Sequence, residues 1–347
     1  MPAAAVPLPR TCRYTAKLTG YGSRVRAEFL NPLGVGGYHI AQAALSQAAG
    51  NGTLAVLRGT SRRLTFQGSG QVDVRGGSAV LTDPLTLAVH PGTVVAVTLT
   101  VTSGTASHSR HPVEQAACAP GAQPDPGEAP ASRFSQPDTI RWLSSIMVDG
   151  PAQRSVVALG DSITEGSIGD GYRRWTDRIA TSGVVIANAG VGGNAISAPG
   201  YLKTLDGVSR LQMLRREPNL TDVVIMLGVN DLTMGRTATQ IITALGKAVA
   251  LARSAHVAVW VATITPYRGQ YQWTQLQESY RTQINNFLRA ARPSPGVAVT
   301  DLDRALRDPR QPDRLLPAYD SGDHQHFSKI AGRTAIAQRV RADLHLP

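Results

Sequence analysis

Near the end of the chain stands Asp323-His324-Gln325-His326. A carboxylate three residues before an imidazole, within one turn, can fix the tautomer of the ring and stabilise its protonated form. Such a pair can activate a serine hydroxyl, which is a poor nucleophile until a neighbouring base takes its proton. Asp323 and His326 have this relation, whereas His324 points elsewhere at its spacing. The serine best placed to receive them is Ser162, in Gly160-Asp161-Ser162-Ile163 at the end of the apolar run SVVALG. A serine just past a buried strand, at the mouth of the next helix, exposes its hydroxyl and directs backbone N–H groups toward an anion. The same residue could serve only as a helix cap. A metal site built from Asp323, His324 and His326 is the competing use of the cluster, but no further His or Cys cluster completes a ligand set. No metal and no other cofactor is expected.

The elements that must carry these residues are legible from residue 151 on. Short apolar runs at 155–160, 184–188, 222–228, 257–262 and 297–303 alternate with helical patterns near 205–216, 238–254, 274–291 and 328–343. This rhythm predicts an α/β fold, a doubly wound, flavodoxin-like parallel sheet of five strands in the order 2-1-3-4-5. Ligands of such sheets bind at the carboxyl ends of strands one and three, where the winding reverses. Strand one leads to Ser162 and strand three to Gly228-Val229-Asn230-Asp231. Strand two leads to Asn188-Ala189-Gly190-Val191-Gly192-Gly193-Asn194, whose glycines permit close backbone approach to a ligand. Asp161 and Asp231 read as turn architecture bonded to backbone N–H groups, because a carboxylate beside the nucleophile would oppose a developing negative charge. Tyr267 follows strand four and Trp175 follows the nucleophile turn; both could line a substrate pocket, and ordinary packing is the alternative for Trp175.

Before residue 150 the period is two. Segments such as SRVRAEFL, QVDVRGG and VVAVTLTV run between Gly, Asn and Pro breaks, which predicts a β-sandwich or jelly roll. The stretch from Ser103 to Gln136 is rich in Pro, Ala, Gly and Ser and reads as a long surface loop, with IRWLSSIMV at 140–148 as a further strand returning to the sandwich. Two domains are therefore expected, 1–150 and 151–347.

Composition narrows the partners. With 42% hydrophobic and 17% charged residues, the 347-residue chain is neither disordered, collagenous nor a coiled coil. The net charge of +11 is spread over both halves, 12 Lys and Arg against 8 Asp and Glu before residue 151 and 23 against 16 after it. No basic stripe forms, so no nucleic-acid partner is expected. No apolar run approaches the length needed to cross a bilayer. MPAAAVPLPRTCRY lacks the charged and apolar regions of a signal peptide, which leaves a cytoplasmic protein and one secreted after cleavage both open. Cys12 and Cys118, the only cysteines, exclude a thiolate zinc cage and leave one disulfide or two free thiols as alternatives.

Taken in order, GDSI at 160–163, a glycine in NAGVGGN, GVND at 228–231 and DHQH at 323–326 resemble the SGNH/GDSL hydrolase family. The resemblance covers residues 151–347 and implies a serine esterase in which Ser162 is the nucleophile and Asp323 and His326 complete a triad. It further implies that Gly193 and Asn230, with the Ser162 N–H, form an oxyanion hole, Gly190 and Gly192 being close alternatives to Gly193. Phe327 departs from the family pattern, which commonly has proline there. RVRAEFLNPLG, RLTFQG and LTDPLTLAV resemble, more loosely, a bacterial and often secreted subgroup with an N-terminal β-sandwich. The expected substrate is a short acyl ester, an acetylated carbohydrate in particular. A lipase or thioesterase of longer acyl chains, and a carbohydrate- or cell-surface-binding protein with a vestigial hydrolase domain, are the competing readings.

Overall fold

The structure, a computed structural model, describes residues 7–31, 36–76, 78–104, 115–137, 142–150, 154–166, 174–179, 183–201, 205–215, 219–290, 297–327 and 330–346. These form two compact units, one up to residue 150 and one from residue 154.

The first unit is antiparallel throughout. Its strands are β1 (Arg10–Lys17), β2 (Gly22–Leu30), β3 (Gly37–Gln47), β4 (Arg62–Arg63), β5 (Val72–Arg75), β6 (Ala79–Leu81), β7 (Leu85–Val89), β8 (Val94–Gly104), β9 (Gln115–Pro120), β10 (Gln136–Pro137) and β11 (Leu143–Asp149). One sheet runs β10-β9-β1-β8-β3-β4 with β5 also on β3; the other runs β11-β2-β6 with β7 also on β2. The alternation in RVRAEFL decides which face of β2 is buried: Val25, Ala27 and Phe29 are fully enclosed, while Arg24, Arg26 and Glu28 face outward. They join Tyr14, Ile40, Leu45, Val97 and Leu99 of the other sheet in one core, which makes the unit a β-sandwich.

The expectation of a plain surface loop over 103–136 is corrected here. Residues 105–114 lie outside the described residues, but Gln115–Pro120 is a strand paired along β1, and Phe134 packs with Ala119 and Ala129 in a small second core. The segment QAACAP carries no β-branched residue, so its own pattern gives no strand signal; pairing with β1 supplies the structure. Leu54, Pro126 and Phe134 cover the face of β1 turned away from the main core, so β1 is buried on both faces. Arg13, fully enclosed there, donates to Thr98 Oγ1 (2.9 Å) and to the carbonyls of Leu54 (2.9 Å) and Pro126 (2.8 Å), with its guanidinium 4.3 Å from the centroid of the Phe134 ring.

Cys12 and Cys118 oppose each other directly in β1 and β9 and form a disulfide across 106 residues of sequence. A crosslink of that span removes unfolded-chain entropy worth about 2–5 kcal/mol. Replacing both cysteines with alanine should lower the unfolding free energy of the sandwich, measured by urea denaturation, by that amount; an unchanged unfolding free energy would show that the crosslink contributes nothing.

The second unit contains β12 (Arg154–Gly160), α1 (Ser162–Glu165), β13 (Val184–Gly190), α2 (Gly207–Leu214), β14 (Asp222–Met226), α3 (Val229–Thr233), α4 (Ala238–Ser254), β15 (Ala258–Ala262), α5 (Gln275–Ala290), β16 (Val297–Thr300), α6 (Leu302–Leu306) and α7 (Ile330–Asp343). The strands are parallel in the order β13-β12-β14-β15-β16, which is 2-1-3-4-5 counted within the unit. One core lies between the sheet and α2, α4 and α5, the other between the sheet and α6 and α7. Both faces are covered, as a run such as Val223-Val224-Ile225, buried at every position, requires. Gly160 pairs with Gly190 on one side and Met226 on the other, so the three strand ends that carry the site finish level.

Candidate active site

The turn that carries Ser162 begins where β12 ends. Asp161 is the N-cap of α1, its carboxylate accepting from the Ile163 N–H at 2.9 Å, and Ser162 is the first helical residue. Ser162 is therefore not the cap. Its Oγ lies 2.7 Å from His326 Nε2.

The histidine is held by the turn that precedes α7. His326 Nδ1 donates to Asp323 Oδ2 at 2.5 Å, while Asp323 Oδ1 accepts from the His326 N–H (2.9 Å), the Gln325 N–H (3.1 Å) and the Ser321 hydroxyl (2.7 Å). A carboxylate only accepts, so the Nδ1 proton is fixed and Nε2 is left with its lone pair facing Ser162. Partial burial pushes the Asp323 carboxyl up, but these four donors outweigh it and hold the group well below the usual carboxylate range. His324 turns away with φ 64° and takes a carboxylate of its own, Asp320, at 2.6 Å. The two imidazoles are thus served separately, and among the described residues no three His, Cys, Asp or Glu side chains are grouped to hold a metal. Phe327, where the family commonly has proline, is buried in the core and anchors the turn, its carbonyl accepting from Arg333 Nε.

On the other side of Ser162, Asn230 is the second residue of α3, buried, with its Nδ2 donating to the Asn194 carbonyl at 2.9 Å. Asp231, next in the helix, accepts from the Ile196 N–H and the Ser197 N–H, both at 2.8 Å, and from the Ser197 hydroxyl at 2.6 Å. Together the two residues bind the segment after β13 to α3. Among the glycines of that segment, Gly190 gives its N–H to Asn188 Oδ1 at 2.9 Å, which removes it as a donor to a ligand. Gly193 adopts φ 73°, a left-handed conformation that favours glycine, and Tyr201 packs over it.

The two aromatic expectations are corrected. Tyr267 is fully enclosed in the core, its hydroxyl 3.3 Å from Gln277 Oε1, and Trp175 is 1% exposed with its Nε1 donating to Thr164 Oγ1. Neither presents a face to a substrate; both fill core space between sheet and loops. The aromatic beside the site is Tyr201, 46% exposed, its hydroxyl donating to Thr233 Oγ1 at 3.0 Å. A lone tyrosine in the stretch SAPGYLK carries no periodic signal, and only the fold brings it onto the glycine turn.

Asp161 has a testable electrostatic signature. Burial raises its carboxyl from 3.8 to about 6, against the hydrogen bond from Ile163. The folded state then holds the proton more tightly than the unfolded chain, so stability falls as pH rises from about 4 to about 6, by on the order of 3 kcal/mol. Asp161→Asn keeps an acceptor for the cap and removes the charge. Its melting temperature should lack that decline and exceed the parent's at pH 7; parallel curves from pH 4 to 7 would refute the assignment.

Residues 158–332, half of the chain, match the GDSL-like Lipase/Acylhydrolase family. No curated protein matches the chain. Similar solved structures include a member of the lipolytic protein G-D-S-L family from Veillonella parvula, at 18% identity and a TM-score of 0.43 over 56% of this chain and 100% of that one. A GDSL-like lipase from Bacteroides thetaiotaomicron is 16% identical, with a TM-score of 0.41 over 56% and 89% of the two chains. The psychrotrophic esterase EstA from a Pseudoalteromonas species is 17% identical, with a TM-score of 0.40 over 56% and 97%. On the strength of the sequence match across the hydrolase unit, the chain belongs to the GDSL-like lipase/acylhydrolase family and is a carboxylic ester hydrolase.

Proposed function

We propose that the protein is a serine esterase that hydrolyses short acyl esters, acetylated carbohydrates among them, through an acyl-enzyme on Ser162. The observation that carries this reading is the unbroken line from Asp323 through His326 to Ser162 Oγ, at 2.5 and 2.7 Å. His326 Nε2 takes the hydroxyl proton as Oγ attacks the ester carbonyl, and the protonated ring, stabilised by Asp323, returns that proton to the departing alcohol. Water, deprotonated by the same nitrogen, then releases the acid. The N–H groups of Ser162 and Gly193 and the Asn230 amide hold the tetrahedral oxyanion.

On the alcohol side, the exposed ring of Tyr201 beside the Gly193 turn, rimmed by Thr233 and Gln272, offers the mixed apolar and polar surface that a sugar ring stacks on. The sandwich, residues 1–150, is read as an accessory domain. Its disulfide supports an oxidising compartment outside the cytoplasm, and among the described residues no helix is long and apolar enough to cross a membrane.

The test is twofold. Diethyl p-nitrophenyl phosphate should add one diethylphosphoryl group to Ser162 by peptide mass; an adduct elsewhere, or none, would sink the acyl-enzyme reading and favour a vestigial site. Across p-nitrophenyl esters from acetate to palmitate, kcat/KM should be greatest at two to four carbons. A maximum at eight or more would make the protein a lipase or thioesterase instead.

A further inference from the structure

Arg210 belongs to α2, the helix capped by Asp206, and lies outside every sequence motif of the site. Flanked by Ser209 and Leu211, it reads in sequence as an ordinary solvated arginine. In the structure its guanidinium is drawn beneath the ends of two strands. Nη1 donates to Asn194 Oδ1 at 2.9 Å and to the Gly160 carbonyl at 3.4 Å, and Nη2 donates to the Ala189 carbonyl. Gly160 ends β12 two residues before Ser162, and Ala189 is the next-to-last residue of β13, just before the glycine turn. The Gly160 carbonyl also accepts from the Val191 N–H at 3.0 Å, so the nucleophile turn and the glycine turn meet at the same cation.

The third acceptor extends the reach of this residue. Asn194 is gripped at its side chain, Oδ1 by Arg210 and Nδ2 by the Leu205 carbonyl at 2.7 Å, and its backbone carbonyl is the acceptor that orients the Asn230 amide. An amide that spends one of its two N–H bonds on a fixed carbonyl has its other N–H aimed without rotational freedom. Burial of the guanidinium lowers its pKa to about 10, with Glu165 as the carboxylate that opposes the shift, so Arg210 stays charged at neutral pH.

We propose that Arg210 is a positioning residue of the oxyanion hole, acting through Asn194 to hold the Asn230 amide in its donating orientation. It touches neither substrate nor reacting atoms. The inference rests on the reading of Asn230 as an oxyanion donor. An arginine that only satisfied buried carbonyls would change stability alone, whereas a positioning residue changes turnover and does so through Asn230.

The experiment is a double-mutant cycle in the full chain, with kcat and KM for p-nitrophenyl acetate and the melting temperature measured for each protein. Asn230→Ala should lose about 10² to 10³ in kcat. Arg210→Met should lose about tenfold to a hundredfold in kcat with KM within about threefold, and the double variant should fall within about threefold of Asn230→Ala alone. Arg210→Lys, which keeps the charge but cannot span three acceptors, should recover part of the loss. If Arg210→Met does not fold, the same cycle run with Arg210→Lys decides, with the same masking by Asn230→Ala expected. Losses that multiply in the double variant would overturn the proposal while leaving the oxyanion reading intact, as would a lowered melting temperature with normal kcat. A normal kcat in Asn230→Ala would overturn the oxyanion reading itself, and the role of Arg210 with it.

Discussion

Ser162→Ala should reduce kcat for p-nitrophenyl acetate by about 10⁴ to 10⁶ and leave the melting temperature close to that of the parent. Both halves of this expectation come from one local arrangement. The Ser162 hydroxyl faces His326 Nε2, so removing it removes the attacking atom. The helix that starts at Ser162 is capped by Asp161, whose hydrogen bond to the Ile163 N–H survives the substitution, so the turn keeps its shape. A serine that served as the cap would show the reverse, a helix weakened by about 1 kcal/mol with turnover kept. Turnover within tenfold of the parent, checked on protein free of contaminating esterase, would remove Ser162 from the reaction.

Asp323→Asn should cost about 10⁴ in kcat. Three donors converge on Oδ1, from the Ser321 hydroxyl and the Gln325 and His326 backbone, and they will hold the single amide oxygen on that side. The amide NH2 then faces His326 Nδ1 in place of Oδ2. Nδ1 must accept, the ring proton moves to Nε2, and the nitrogen that should take the Ser162 proton carries one already. The geometry survives and the tautomer is wrong. Nitrogen NMR of the imidazole reads this directly, with the proton on Nδ1 in the parent and on Nε2 in the variant; the same tautomer in both, or a loss under tenfold, would sink the argument. Since Asp323 is held below the carboxylate range, it stays ionised throughout the neutral and mildly acidic assay range, and the acid limb of the parent's pH–rate profile is not its titration.

What sequence reading reached, and where it stopped, follows the range of the forces involved. The central runs, Val156–Gly160 and Asp222–Met226, are buried on both faces, and the register that brings Gly160 level with Gly190 and Met226 follows from a parallel sheet wound in both directions. Asp323 and His326 were legible because their relation is local, set within one turn. The strand QAACAP was not, because what makes it a strand is β1, about a hundred residues away in sequence. Tyr267 and Trp175 mislead for a related reason: an aromatic beside a strand exit has the same local sequence whether its ring faces solvent or core. Arg210 is the extreme case, since all three of its acceptors are set by strand ends brought together only by the completed sheet.

The 164-residue separation of Ser162 and His326 makes the site a late event in the life of the chain. Every strand of the sheet, ending with Val297–Thr300, is synthesised before His326, whereas α7, which follows it, supplies Ile336, Ala337 and Val340 to the core on one face of that sheet. The pairing of Ser162 with His326 and the burial of that face are thus completed by the same C-terminal segment, so ester cleavage is expected to appear only in a chain finished through its last helix.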